Sequence, residues 1–203
     1  PALKEPERFM ITVEGETVVD ADVRIGHIHR GIEKIVEGKT YIQNLYITER
    51  ICGICSFTHT TNFSQATEEI LGTEVPKRGI YLRTLVNELE RIHSHLLWIG
   101  VAGHEMGFDT LFMYSWDDRE ICQDLLEMIT GNRVNYAYNT IGGVRRDMSQ
   151  EVIQKTLKGL DKLEAAMQKY VDIGLNEDTV LKRTQGVGYL SPEDARRLTA
   201  VGP

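Results

Sequence analysis

Between residues 9 and 25 the apolar positions alternate loosely, with Met10, Val13, Val18, Val19 and Val23 in two runs around Glu14-Gly15-Glu16. Alternation with period two, broken by a glycine-containing turn, predicts a hairpin, so a small β element opens the chain. The period then lengthens. Residues 31–35 and 41–48 carry apolar side chains at helical steps, interrupted by Gly38, and residues 58–71 read as a helix stopped by Gly72, with Pro76 starting the next element. The clearest helix covers 77–99, where Leu82, Leu85, Val86, Leu89, Ile92, Leu96 and Ile99 recur at three- and four-residue steps. Residues 117–130 predict another helix ending at Gly131, and 149–173 a long one capped by Ser149 and stopped by Gly174. Gly142-Gly143 marks the turn between them. Residues 176–203, with Gly186, Gly188 and a Ser191-Pro192-Glu193 helix start, read as loop, short strand and short helix. The expected fold class is mainly α: a helical bundle with a small amino-terminal β element over 1–25 and a mainly helical remainder over 26–203, forming one domain.

Composition narrows what such a bundle can do. The 203 residues are 41% hydrophobic and 26% charged, enough to bury one substantial core. A formal net charge of -7, with the 23 basic residues scattered among acidic ones, argues against nucleic-acid binding, which needs clustered Lys and Arg. The most apolar stretch, 96–103, is too short for a membrane span and runs into His104 and Glu105. Residues 1–9 are charged and lack the apolar core of a signal peptide. Three cysteines, two of them a close pair, make no disulfide framework and point to a reducing, cytoplasmic setting. The opening Pro1 and the closing Val201-Gly202-Pro203 read as the ends of a fragment.

Candidate chemistry concentrates at Arg50-Ile51-Cys52-Gly53-Ile54-Cys55-Ser56-Phe57-Thr58-His59. Two thiolates two residues apart, with glycine between them, can turn toward one point and chelate a soft metal. A nearby histidine can hydrogen-bond a thiolate or ligate, and Arg50 can supply charge that favours a deprotonated sulfur. Spacing alone leaves other readings open. A structural zinc site would use the pair as half of four ligands, but no second C-x2-C or H-x3-5-H partner is present. A redox pair would normally follow a strand in a βαβ unit, and two buried cysteines can also have no role at all.

The segment E-R-I-C-G-I-C-S-F-T-H-T resembles the first metal-binding motif of nickel-iron hydrogenase large subunits, R-x-C-G-x-C-x3-H. H-R-G-I-E-K at 29–34, E-L-E-R-I-H-S-H-L-L-W-I-G at 88–100, G-G-V-R-R-D at 142–147 and R-T-Q-G-V-G at 183–188 extend the likeness along essentially the whole chain. The quinone-binding subunit of respiratory complex I is similar in P-A-L, H-R-G-x-E-K and E-L-x-R-I-x-S-H-L but lacks the cysteine pair, so Cys52 and Cys55 favour the hydrogenase branch. The P-A-L-K-E-P-E-R-F opening further resembles the energy-converting group, which includes the Ech type, CO-induced hydrogenase and formate hydrogenlyase.

The resemblance implies the amino-terminal part of a hydrogenase large subunit catalysing reversible oxidation of dihydrogen. In the family four cysteines hold nickel, and two of them bridge to an iron carrying cyanide and carbon monoxide. Residue by residue, Cys52 resembles the terminal nickel ligand and Cys55 a bridging one, with His59 beside them. The second pair belongs to a D-P-C-x2-C motif that this sequence does not contain, so the fragment alone is expected to be inactive. Cys52 is the candidate first base. By position in the opening motif Glu5 would carry the proton onward, with Glu7 and Glu14 as competitors. The implied partners are a small iron-sulfur subunit, membrane-arm subunits and a ferredoxin-like electron carrier, with the protein peripheral at the cytoplasmic face of the membrane. The alternative is a complex-I-like quinone-contact or scaffold subunit without a metal centre.

Other motifs have more ordinary readings. Cys122, alone among Ile121, Leu125 and Leu126, is expected to be a buried structural thiol. Glu88, Arg91 and His95 share a helix stripe that reads equally as a proton route or a solvated face, whereas His93 reads as a core histidine. The match at 29–34 assigns His29 and Arg30 to packing and partner contacts. Asp117, Asp118, Arg119 and Glu120 read as a solvated helix start.

Overall fold

The computed structural model describes residues 7–200. It is mainly helical, with the order β1 (Arg8–Glu14), β2 (Thr17–Arg24), α1 (Ile32–Glu37), α2 (Tyr41–Glu49), α3 (Ser56–Leu71), α4 (Lys77–Glu105), α5 (Asp109–Thr130), β3 (Asn139–Thr140), β4 (Gly143–Val144), α6 (Gln150–Asn176), α7 (Asp178–Thr184) and α8 (Pro192–Arg197). The fold class expected from the residue pattern is the one observed. No helix among the described residues is long and apolar enough to cross a membrane.

The chain forms two compact units, one holding residues up to Ser94 together with Gln123–Ser149, the other His95–Cys122 together with the chain from Gln150. In the first unit, β1 and β2 form the antiparallel hairpin, with a register shift between Thr12 and Val13. Its pairs sort by face. Phe9 opposite Val23, Ile11 opposite Ala21 and Val13 opposite Val18 make one face apolar, while Met10 opposite Asp22, Thr12 opposite Asp20 and Glu14 opposite Thr17 make the other largely polar. Every residue of both strands is exposed.

α2 starts on a full capping box. Thr40 Oγ1 accepts from Gln43 N, and Gln43 Oε1 accepts from Thr40 N, which satisfies two donors that a helix start leaves orphaned. α3 ends as its glycine predicts, with Gly72 left-handed at φ 64°. Phe57, Val86, Leu89, Leu126, Tyr136 and Tyr138 lie almost wholly buried, and the Phe57 ring meets Tyr136 edge-on at 6.1 Å. His93 is fully buried, its Nε2 3.4 Å from the Tyr136 hydroxyl, which bears out the core reading of that histidine.

A buried ion pair ties α3 and α4 to the β3–β4 turn. Arg83 donates to both oxygens of Glu68 at 2.8 and 2.6 Å, and its remaining donors reach the Thr140 carbonyl at 2.7 Å and the Gly143 carbonyl at 2.9 and 3.1 Å. Glu68 also accepts from Gly142 N at 2.7 Å. A bidentate guanidinium–carboxylate pair with its other valences filled is the form in which such charges tolerate burial.

In the second unit, α5 begins at Asp109 and not at Asp117. The aromatic run hid that start, since such residues have middling helix propensity. Their stacking at helical spacing supports it. Phe112 and Trp116 lie 5.0 Å apart, and the Arg119 guanidinium sits 5.3 Å over the Trp116 ring. Residues 117–120 therefore lie within the helix and not at its start, and of the four only Asp117 and Glu120 are exposed as expected. Asp118 accepts from the Tyr170 hydroxyl and pairs with Lys169 Nζ at 3.0 Å, and Arg119 is buried. Cys122 is fully buried, as expected, and burial pushes its thiol up to about 12. α6 runs on through Gly174, a cost a long helix absorbs at a single position. Between α6 and α8 the described chain forms the helix α7 where a short strand was expected. α8 begins as its sequence predicts, with Ser191 capping Asp194 N and proline in the first turn.

Candidate metal centre

The loop 50–55 joins α2 to α3 and carries both cysteines of the pair. One side chain bonds to the loop itself and two anchor the helix ends on either side of it. Arg30 donates to the carbonyls of Arg50 at 2.8 Å and Ile51 at 2.7 Å, so this residue, expected to serve packing and partner contacts, fixes the backbone directly ahead of Cys52. Glu49, 2% exposed at the end of α2, accepts from Ala137 N at 2.7 Å. Glu90, 1% exposed on α4, accepts from Ser56 Oγ at 3.3 Å, Phe57 N at 2.6 Å, and Thr58 N and Oγ1 at 2.9 Å each. Burial pushes both carboxyls above the usual range, against the pull of these hydrogen bonds.

Cys52 and Cys55 are both half-buried and unoxidised. Burial opposes a charged Cys52. The Cys55 thiol and the backbone N–H groups of Cys55 and Ile54 outweigh it, and they hold the Cys52 pKa below the ordinary thiol value. Cys55 is pushed up to about 12, first by burial, then by donating its proton to Cys52 and by the negative charges of Cys52 and Glu90. Of the two, Cys52 is therefore the thiol whose charged form is favoured, the form in which thiols bind metals.

The other candidates take different places. His59 lies in the first turn of α3, half-buried, its backbone N–H on the Cys55 carbonyl at 3.3 Å. Arg50 is exposed, and its charge acts on Glu49. Glu5 lies outside the described residues; Glu7 and Glu14 are exposed. Glu88 forms an ion pair with Arg91 on a half-exposed stretch of α4. A cleft of about 500 Å³ lies against Cys55 and Thr58, walled by Thr61, Asn87, Glu90 and Arg91.

Glu90, Glu49 and Arg30 were not singled out from the residue pattern. A signal for Glu90 existed: with Arg83, Val86 and His93 it stands three or four residues from the next along the stripe of α4 that is buried. A charge there must face a partner inside the protein. Nothing local shows that the partner is the start of another helix.

The donor set fits part of a metal centre. Two free thiols sit on one loop, yet no group of three or more His, Cys, Asp or Glu side chains able to hold a metal occurs among the described residues. The nickel-dependent hydrogenase family matches residues 30–100, and the family of the respiratory-chain NADH dehydrogenase 49 Kd subunit matches residues 105–203. The chain is 43% identical to the membrane-bound hydrogenase subunit alpha of Pyrococcus furiosus, over 100% of this chain and 48% of that protein. It is 39% identical to formate hydrogenlyase subunit 5 of Escherichia coli, over 98% of this chain and 35% of the relative. To an NADH-quinone oxidoreductase subunit of Desulfotalea psychrophila it is 36% identical, over 100% of this chain and 55% of that protein. A chain in the structure of the membrane-bound sulfane sulfur reductase, an archaeal respiratory membrane complex, matches with TM-score 0.84 and 30% identity over 92% of this chain and 50% of that one. The chain thus spans about half the length, or less, of these relatives. Its front part thus matches the nickel-dependent hydrogenase family and its back part the family of the respiratory-chain 49 Kd subunit, with energy-converting hydrogenase subunits among its homologues.

Proposed function

We propose that the chain is the front part of the catalytic large subunit of an energy-converting nickel-iron hydrogenase, and that Cys52 and Cys55 are half of the ligand set of its metal centre. The observation that carries this reading is the Cys52–Cys55 pair, both thiols free, on a loop held by Arg30 in a chain that matches the nickel-dependent hydrogenase family across that loop. When bound, the nickel-iron centre supplies the Lewis acidity that makes dihydrogen acidic. In this assignment Cys52 and Cys55 would hold the metal, and the other two thiolates would come from a D-P-C-x2-C segment elsewhere in the full-length protein.

The chain's own residues do the rest. The Cys52 sulfur, stabilised by the N–H groups of Ile54 and Cys55, is the atom that takes up a proton at the centre. Arg30 and Glu49 keep the loop from shifting as that charge changes. His59 and Arg50 flank the pair, and Glu5 is the onward proton acceptor in this scheme. Electrons leave through iron-sulfur clusters of a small partner subunit toward a ferredoxin-like carrier. Membrane-arm subunits hold the protein peripherally at the cytoplasmic face. Membership of respiratory membrane complexes among the relatives supports that arrangement.

The test is metal and activity analysis of the full-length protein with its partners. Nickel and iron at stoichiometric levels, with dihydrogen-dependent dye reduction abolished by Cys52→Ser, are expected. A full-length protein that keeps its partners but holds no nickel would sink the proposal in favour of a quinone-contact or scaffold subunit, the alternative that similarity to NADH-quinone oxidoreductase subunits supports. Zinc alone, lost on Cys52→Ser, would mark a structural zinc site.

A further inference from the structure

Cys55 occupies the N-cap position of α3 and makes no side-chain capping bond. Helix starts normally place Ser, Thr, Asp or Asn there, because an oxygen at that position satisfies N–H groups of the first turn that have no partner within the helix. Here those donors are satisfied from a different helix. The Glu90 carboxylate reaches in from α4, takes the N–H groups of Phe57 and Thr58, and adds the hydroxyls of Ser56 and Thr58. These four donors and the helix dipole make a buried carboxylate tolerable.

We propose that Glu90 is the positioning residue of the cysteine pair: by capping α3 from α4 it takes over the task of the N-cap residue, frees the Cys55 side chain to face Cys52, and fixes the distance between the two sulfurs. The inference rests on the assignment of Cys55 as a ligand. It goes further in tying the metal site to a residue far along the chain and on another element. Capping by Cys55 itself would turn its sulfur back onto the helix. Without any cap, the first turn would fray and the bridging thiol would move with it.

The experiment uses the full-length protein with its partners and five variants. Glu90→Gln keeps the shape but places an amide NH2 where Thr58 donates, so it should unseat the loop. The expected result is nickel lost to a chelator about 10–100-fold faster than from wild type, the usual size of an outer-shell effect. The nickel paramagnetic resonance signal of the remaining centre should be altered at an unchanged melting temperature. Thr58→Val removes a single donor and should give a smaller change, while the double variant should be no worse than Glu90→Gln alone. Glu69→Gln, exposed on α3, should behave as wild type.

Wild-type nickel retention and resonance signal in Glu90→Gln would overturn the proposal. If that variant does not fold, Thr58→Val and Ser56→Ala carry the test, and no change in either overturns it. If the wild-type protein holds no nickel, the proposed function fails on its own. The cap is then judged by the ratio of iodoacetamide alkylation rates at Cys52 and Cys55, which Glu90→Gln should shift severalfold and which, unchanged, overturns the inference.

Discussion

Three buried glutamates in the first unit show how surroundings decide what one residue type does. For Glu68, burial alone would raise the pKa, but the Arg83 guanidinium and Gly142 N–H outweigh it and hold the carboxyl below the usual range. A depressed folded pKa gives stability that is present above the unfolded value of about 4.3 and lost as the pH falls through the folded value. Glu49 is the reverse. Burial raises it, so its contribution to stability is present below the unfolded value and lost as the pH rises through the folded one. Two substitutions should therefore differ at neutral pH. Glu68→Gln should destabilise the protein by about 3–5 kcal/mol in urea unfolding, because it leaves Arg83 buried and uncompensated. Glu49→Gln keeps an acceptor for Ala137 N and removes a desolvated charge, so it should be neutral or mildly stabilising at pH 7 and lose that advantage in acid. Equal destabilisation by both would refute this account.

At the scale of elements, the close approach of α4 to α5 depends on one missing side chain. A Cβ at Gly100 would run into Ser115 Oγ and lie 2.7 Å from Trp116 Cδ1, both on α5. Gly100→Ala should therefore cost about 1–3 kcal/mol despite the better helix propensity of alanine. A lowered melting temperature would report it; an unchanged one would mean that the two helices can slide apart. Helices with clear stop signals were legible from sequence. Gly72 and the Ser191-Pro192 start lie where local backbone chemistry dictates, and so does the hairpin turn at Gly15. The start of α5 was not legible, because the Phe112–Trp116–Arg119 stack that supports it is a contact preference and leaves little trace in apolar periodicity.

At the scale of the whole molecule, the hairpin and the packed helices have opposite stability signatures. The hairpin's apolar face, including Ile11 at 58% and Val18 at 57% exposed, is bare, and a two-stranded ribbon alone is marginal in water. Amide exchange in β1 and β2 should be about a hundredfold faster than in α3, which carries the fully buried Phe57 and Ser64. Protection of the hairpin equal to that of α3 in this chain would contradict the prediction. In the full-length protein, protection gained by the hairpin would locate what covers that face.

Sequence by itself determined the mainly helical class, the hairpin and most helix ends, since these follow from periodicity and from the backbone preferences of single residues. It also carried the resemblance around Cys52 and Cys55, because those ligands are close neighbours along the chain. Only the tertiary structure decided which carboxylates matter to that loop. Glu90 lies 35 positions after Cys55 and Glu49 meets an amide 88 positions away, so their roles depend on how separate elements pack. The competing stripe of Glu88 and Arg91 is an ion pair on a half-exposed stretch of α4, whereas Glu90, two residues on, is turned inward. A rotation of about 200° around one helix separates the two glutamates, and helix packing alone selects which of them the cysteine loop meets.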